Sequence, residues 1–99
     1  MVSLSAGMVM NYNHKKVVIL RTGLSIDGSE AVKVAPLTTR KPGSGRHVEA
    51  KTLWGTYWIP LGQVSDVKAA GVGYAGYGPG RLSKKLLNAV LRELDKGSQ

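Results

Sequence analysis

Cysteine and phenylalanine are both absent from this 99-residue chain. Without thiols there are no disulfides and no thiolate metal ligands, which fits a reducing compartment. Histidine is scarce too: His14 and His47 are the only two, and they stand far apart in sequence. Acidic residues number six, and Glu49 has no acidic neighbour nearer in sequence than Glu30 or Asp66. Sparse imidazoles and scattered carboxylates argue against metal-dependent hydrolysis and against paired-carboxylate catalysis, so no metal and no other cofactor is expected. The Gly-x-Ser-x-Gly elbow of serine hydrolases is missing, Gly43-Ser-Gly45 being too short to count as one. Long apolar runs are missing as well. Met1 to Met10 is mildly apolar but has no cationic leader and falls short of a membrane span, so the expected address is the cytoplasm, with no membrane partner.

What the chain has in plenty is positive charge. Fourteen Lys and Arg against six Asp and Glu give a formal charge of +8. On so small a body this attracts polyanions at long range, and nucleic acid is the commonest polyanion in a cytoplasm. Solubility alone, or an acidic protein partner, accounts for the same charge.

Ninety-nine residues make room for one core, so residues 1–99 are expected to form a single domain. Thirteen Gly and four Pro imply many turns, as in a small sheet-rich fold. Strand signals recur about every ten residues, the spacing of a small barrel or curled sheet. Gly7 to Met10 reads as a weak first strand ending in the polar turn Asn11–His14. Lys15 and Lys16 then precede Val17-Val-Ile-Leu20, a continuous run expected of a central strand buried on both faces. Thr22 to Glu30 reads as a loop with the hairpin pair Asp27-Gly28 at its tip, and Ala31 to Leu37 as the antiparallel return. His47 to Thr52, Thr56 to Leu61 and Gln63 to Val67 read as further strands. Pro60 places the second of these near an edge or at its end.

Ala69 to Gly80 carries five glycines interleaved with Tyr74 and Tyr77. A dinucleotide-binding turn is excluded, because no parallel βαβ unit surrounds it. A flexible loop with both tyrosines packed on the barrel is expected, with base stacking by one of them the lesser alternative. Last, Leu82, Leu86, Leu87, Val90, Leu91 and Leu94 recur at helical spacing, with Lys84, Lys85, Asn88, Arg92 and Glu93 mostly on the other face. This is a C-terminal α-helix docked on its own sheet, stopped near Gly97.

The most chemically loaded stretch is Lys33 to Glu49. A strand opens at Pro36 into Thr38 and Thr39, then Arg40 and Lys41. A Pro-Gly-Ser-Gly loop follows, and Arg46-His47 leads into the next strand. Hydroxyls and cations at the end of a rigid strand suit a phosphodiester, and a solvated hairpin with nothing bound has the same residues. The chemistry open to such a site is metal-free. In RNA the 2′-hydroxyl attacks the adjacent phosphorus when a base takes its proton, a cation steadies the dianionic intermediate and an acid protonates the leaving 5′-oxygen. Arg grips two phosphate oxygens with its planar fork, and Lys does so less specifically. An imidazole can move protons at neutral pH, so His47 is a candidate for that role, or is no more than a partly exposed strand residue.

The order of these blocks carries a resemblance. Lys15-Lys-Val-Val-Ile-Leu20 precedes Val34-Ala-Pro-Leu-Thr-Thr-Arg40, and a basic loop leads to His47-Val-Glu49. Trp58-Ile-Pro-Leu-Gly-Gln-Val64 follows, then a helix after Gly78-Pro-Gly-Arg-Leu82. From about Lys15 to Leu94 the chain resembles the MazF/PemK family of toxins from toxin–antitoxin modules. That family shares a small SH3-like β-barrel with CcdB and has a strand close to Val-Ala-Pro-Ile-Thr-Ser-Arg. The resemblance implies a mainly β fold with a C-terminal α-helix. It also implies a homodimeric, metal-independent endoribonuclease that cuts single-stranded RNA, leaves a 2′,3′-cyclic phosphate and is blocked by an acidic antitoxin protein. Thr38 matches the family's catalytic Thr. The family's catalytic Arg-Pro pair is replaced by Lys15-Lys16, and the N-terminal loop is short. The expected catalytic residues are therefore Lys15, Thr38 and His47, with Lys16, Thr39, Arg40, Lys41 and Arg46 as substrate contacts. Lys15 brings charge without the bidentate grip, so the expectation is cleavage that is slow, relies on Arg40 or Arg46 instead, or is lost. Two alternatives stand beside it: a non-catalytic SH3-like module that binds nucleic acid, and a protein-binding inhibitor of the CcdB type.

Overall fold

The computed structural model describes residues 4–53, 55–74 and 80–97. The protein is mainly β with a C-terminal helix. Its elements in order are β1 (Val9–Tyr12), β2 (Lys15–Ile26), β3 (Ser29–Pro36), β4 (His47–Thr52), β5 (Gly55–Pro60), β6 (Ser65–Lys68), β7 (Val72–Tyr74) and α1 (Lys84–Gly97). Short 3₁₀ turns at Leu61–Gln63 and Ala69–Gly71 flank β6. One antiparallel sheet runs β6-β3-β2-β1-β7, and β4 pairs with β5 as a separate ribbon. Among the described residues no helix is long and apolar enough to cross a membrane.

Two tight hairpins set the register. Asn13 and His14 both have positive φ between Tyr12 and Lys15, and Asp27 and Gly28 do the same between Ile26 and Ser29. Positive φ at both central residues matches the right-handed twist of the flanking strands, and Asn, His, Asp and Gly tolerate it best. The segment expected as a loop from Thr22 is instead the outer half of β2, which runs on to Ile26 and leaves only Asp27-Gly28 as the turn. Its alternation is weak because most of its residues face water, and two register shifts interrupt it, between Ile19 and Arg21 and between Arg21 and Leu24. Such bulges bend a strand and add twist.

The sheet is rolled. β6 and β7 are its opposite edges, yet only Ala69–Gly71 separates them in sequence. Four residue steps reach at most about 14 Å, whereas four inter-strand spacings in a flat sheet put the edges about 19 Å apart. Among the described residues no ladder joins β6 to β7, so the roll is not closed by hydrogen bonds. The segment expected as one flexible loop thus supplies a 3₁₀ turn and an edge strand. The expected packing of Tyr77 and of the Tyr74 ring lies outside what is described.

Val17-Val-Ile-Leu20 is buried throughout, as a continuous apolar run in the middle of a sheet demands. Its alternate side chains feed two cores. Val18 and Leu20 join Ala35, Leu37, Ala50, Ile59 and Val90, where Leu86, Leu87, Leu91 and Leu94 of α1 close the cluster. Val17 and Ile19 join Met10, Val32, Val34 and Val67, with Tyr12, Ala69 and Val72 packed against them. Val67 and Val72 come from the two edge strands, so the roll brings both edges to one core. Ser83 caps α1: its hydroxyl accepts the Leu86 N–H at 3.2 Å and its carbonyl the Leu87 N–H at 2.9 Å. A cap of this kind contributes about 1 kcal/mol to holding the helix on the sheet.

Candidate nucleic-acid interface

The Asn13-His14 turn delivers Lys15 and Lys16 to the start of β2, and the end of β3 lies beside them. The Leu37 N–H donates to the Lys16 carbonyl at 2.9 Å, which carries the β2–β3 pairing one residue past Pro36. Thr38 is then clamped from the other side. Its N–H donates to the Trp58 carbonyl at 2.9 Å, and the Trp58 N–H donates back to the Thr38 carbonyl at 2.7 Å. This two-bond bridge ties the main sheet to the β4–β5 ribbon at the point where the chain opens into its basic loop. The Thr38 Oγ1 accepts the Arg40 N–H at 3.2 Å, a local turn that bends the chain and leaves the hydroxyl proton free to donate.

The result is an open groove of about 610 Å³. Lys15, Lys16, Arg40 and Lys41 line it together with the hydroxyls of Thr38 and Thr39. Pro36, Leu37, Pro42 and Pro60 form apolar wall, and Tyr57 and Gln63 complete the lining. Six of the eight residues expected at the site therefore meet in one place, although Lys15 and Arg40 lie 25 positions apart in the chain. No Asp or Glu is among the lining residues. Four of the six acids neutralise cations elsewhere: Glu49 with Lys51, Asp66 with Lys33, Glu93 with Arg46 and Asp95 with Arg21. Lys15, Arg40 and Lys41 are in no ion pair among the described residues, so no carboxylate offsets their charge beside Thr38.

Arg46 and His47, the other two, do not line the groove. The Arg46 guanidinium donates to the Glu93 carboxylate at 2.8 Å and to the Glu93 carbonyl at 2.6 Å, which straps the loop to α1. The same hydrogen bond, helped by the charge of Lys96, holds the Glu93 carboxyl below the usual carboxylate range. The carbonyl of Arg46 accepts the Leu61 N–H at 2.9 Å, so this residue is a strut on both sides. His47 has Nδ1 3.2 Å from the Gly45 carbonyl, and its ring meets Trp58 edge-on with centroids 5.6 Å apart. The Gly45 carbonyl can only accept, so Nδ1 is the donor in this contact. Lys41 also packs on Trp58, its Nζ 5.6 Å from the ring centroid, a cation–π contact that restrains a long side chain beside the groove.

Trp58 therefore orders three members of the region at once: Thr38 through its backbone, Lys41 and His47 through its ring. Neither its role nor that of Tyr57 follows from composition, since both look like core aromatics of a strand. Gln63 carried one signal, its place in the Leu-Gly-Gln-Val block of the family resemblance.

Chemically the groove can hold a phosphodiester by charge, orient it by hydroxyl donors and keep one wall dry. Among the described residues no group of three or more His, Asp or Glu stands together as a metal site. No protein-family model, no curated protein and no solved structure matches this chain.

Proposed function

We propose that this groove binds single-stranded RNA and cleaves it without metal, in the manner of a toxin from a toxin–antitoxin module. The observation that carries the reading is the carboxylate-free lining of four cations around the clamped Thr38. In the proposed reaction the 2′-oxygen attacks phosphorus and the P–O5′ bond breaks, giving a 2′,3′-cyclic phosphate and a 5′-hydroxyl. Lys15 and Arg40 offset the charge that grows on the phosphoryl oxygens, the Thr38 hydroxyl donates to one of them, and the Lys15 ammonium protonates the leaving 5′-oxygen. The lining offers no imidazole or carboxylate as a base, so the 2′-proton passes to water and turnover is slow. His47 supports the Trp58 ring in this scheme.

The SH3-like barrel of the MazF, PemK and CcdB toxins belongs to the same reading. The short 3₁₀ link between the two edge strands and the pairing of β7 with β1 support it. Its corollaries, a cytoplasmic homodimer and an acidic antitoxin protein that occupies the cationic groove, are proposed with it.

A second reading has its own support. Lys15 stands where the family keeps Arg, and the missing base suits a non-catalytic nucleic-acid-binding module on the same surface. Incubating the protein with a long mixed-sequence RNA in EDTA separates the two. The ribonuclease yields discrete fragments ending in 2′,3′-cyclic phosphate, and Thr38→Ala and Lys15→Ala abolish them. Intact RNA with salt-sensitive binding leaves the binding module. Intact RNA without such binding leaves a protein-binding inhibitor of the CcdB type.

A further inference from the structure

Tyr57 and Gln63 share the groove with the cations but add nothing to its charge. Tyr57 lies on β5, one residue from the Thr38–Trp58 bridge and opposite Ala50 on β4. Its half-buried ring packs against the core cluster of Ala50 and Ile59, so its position is fixed by packing on one side while another part of it faces the groove. Gln63 ends the 3₁₀ turn Leu61–Gln63, whose buried Leu61 is tied by its N–H to the Arg46 carbonyl. Gln63 is exposed, and its amide brings both donor and acceptor to the groove that Tyr57 also lines.

A site meant only for phosphate has no use for a fixed aromatic ring and three prolines. A nucleotide does: its phosphate wants cations, its base wants a flat apolar face and its base edge wants donors and acceptors. Every base has a π-face, and stacking on an aromatic side chain is available only to a base that is not already stacked in a duplex.

We infer that Tyr57 is the stacking platform for the nucleobase adjoining the phosphate at Thr38, and that Gln63 faces the polar edge of that base. The inference rests on the groove being a nucleic-acid site. It makes the groove selective for unpaired nucleotides over duplex and over bare polyphosphate.

The test compares three ligands by fluorescence anisotropy or competition at one low salt concentration. They are a 2′-O-methyl hexanucleotide that cannot be cleaved, its fully abasic counterpart and an inorganic polyphosphate of similar charge. Stacking of one base predicts roughly 5- to 150-fold tighter binding of the base-bearing strand than of the other two. Tyr57→Phe keeps that advantage. Tyr57→Leu brings the base-bearing strand to the abasic level and leaves polyphosphate binding unchanged. Because the ring also packs on the core, a melting curve first establishes that Tyr57→Leu is folded, and if it is not the wild-type ligand comparison decides alone. Equal affinity for all three ligands overturns the stacking site and leaves the cationic groove standing. No binding of any of them overturns both.

Discussion

Arg40 and Arg46 flank the same Pro-Gly-Ser-Gly loop, yet only Arg40 faces the groove. The difference lies in partners. Arg40 forms no ion pair among the described residues, whereas Arg46 is held by Glu93 of α1 through both carboxylate and carbonyl. That ion pair makes loop anchoring pH-dependent. The folded state lowers the pKa of Glu93 below its ordinary 4.5. A carboxyl with a depressed folded pKa contributes stability that is fully present above its unfolded value and is lost as pH falls through the folded one. Glu93→Gln is therefore expected to melt below the wild type at pH 7, with the gap shrinking as pH falls below 4.5 and through the depressed folded value. Thermal melts of the two proteins across that range check this. A gap that does not shrink on acidification excludes Glu93 ionisation as its source. Because both side chains remain substantially accessible to water, the effect at pH 7 is small.

Among the elements, β2 separates what the sequence makes legible from what it hides. Its inner half is unmistakable, because four consecutive apolar residues buried on both faces leave a continuous run. Its outer half is polar, solvated and interrupted by bulges, so no periodicity marks it, and Thr22 to Ile26 looks like loop. The Asp27-Gly28 tip is legible because few residue pairs accept two positive φ angles. α1 is legible from its leucine spacing. The curling of the sheet is legible in outline from the spacing of strand signals, but its edges are not, since the proximity of β6 and β7 depends on accumulated twist and a three-residue link rather than on any local pattern. The same division holds for the site. Lys15, Lys16 and Thr38 to Lys41 carry their chemistry in their residue types, whereas the fate of Arg46 depends on Glu93, 47 positions away. Tyr57 was hidden because a strand aromatic reads as core, and its ring in fact serves both core and groove. The hairpin tip gives a prediction at this scale. Gly28 has φ +81°, and a methyl group there meets nothing within 4 Å, so Gly28→Ala is purely a backbone conflict. The expected loss is about 1–2 kcal/mol, read as a lower urea midpoint with unchanged m. RNA binding by the folded fraction is expected to stay unchanged, because the tip lines no part of the groove. A loss of affinity in Gly28→Ala at full folding means that the hairpin itself contacts the ligand.

For the whole molecule the question is whether the charge of +8 acts as a diffuse field or as a site. Four of the six carboxylates pair with cations outside the groove, and none lines it, so the charge of Lys15, Arg40 and Lys41 is left without a carboxylate partner among the described residues. The polar face of α1 offers a natural control, since Lys84 and Lys85 are exposed and do not line the groove. Two double variants with identical net charge then discriminate: Lys15→Gln with Arg40→Gln, and Lys84→Gln with Lys85→Gln. Each phosphate contact on a single strand contributes about 0.7 to the slope of log affinity against log salt, through release of condensed counterions. Loss of the groove pair is therefore expected to lower that slope by roughly 1.4 and to weaken binding severalfold or more at low salt, if both cations contact phosphate. The helix pair leaves the slope within error of the wild type, because its charges add only to the long-range field that speeds encounter. Anisotropy titrations of a single-stranded RNA between 50 and 200 mM salt measure both quantities. Equal losses in the two variants mean that the charge attracts RNA without a binding site, and the groove then loses its claim to function. A loss confined to Lys15 and Arg40 ties the affinity to the one place where Thr38 can act on the bound phosphate.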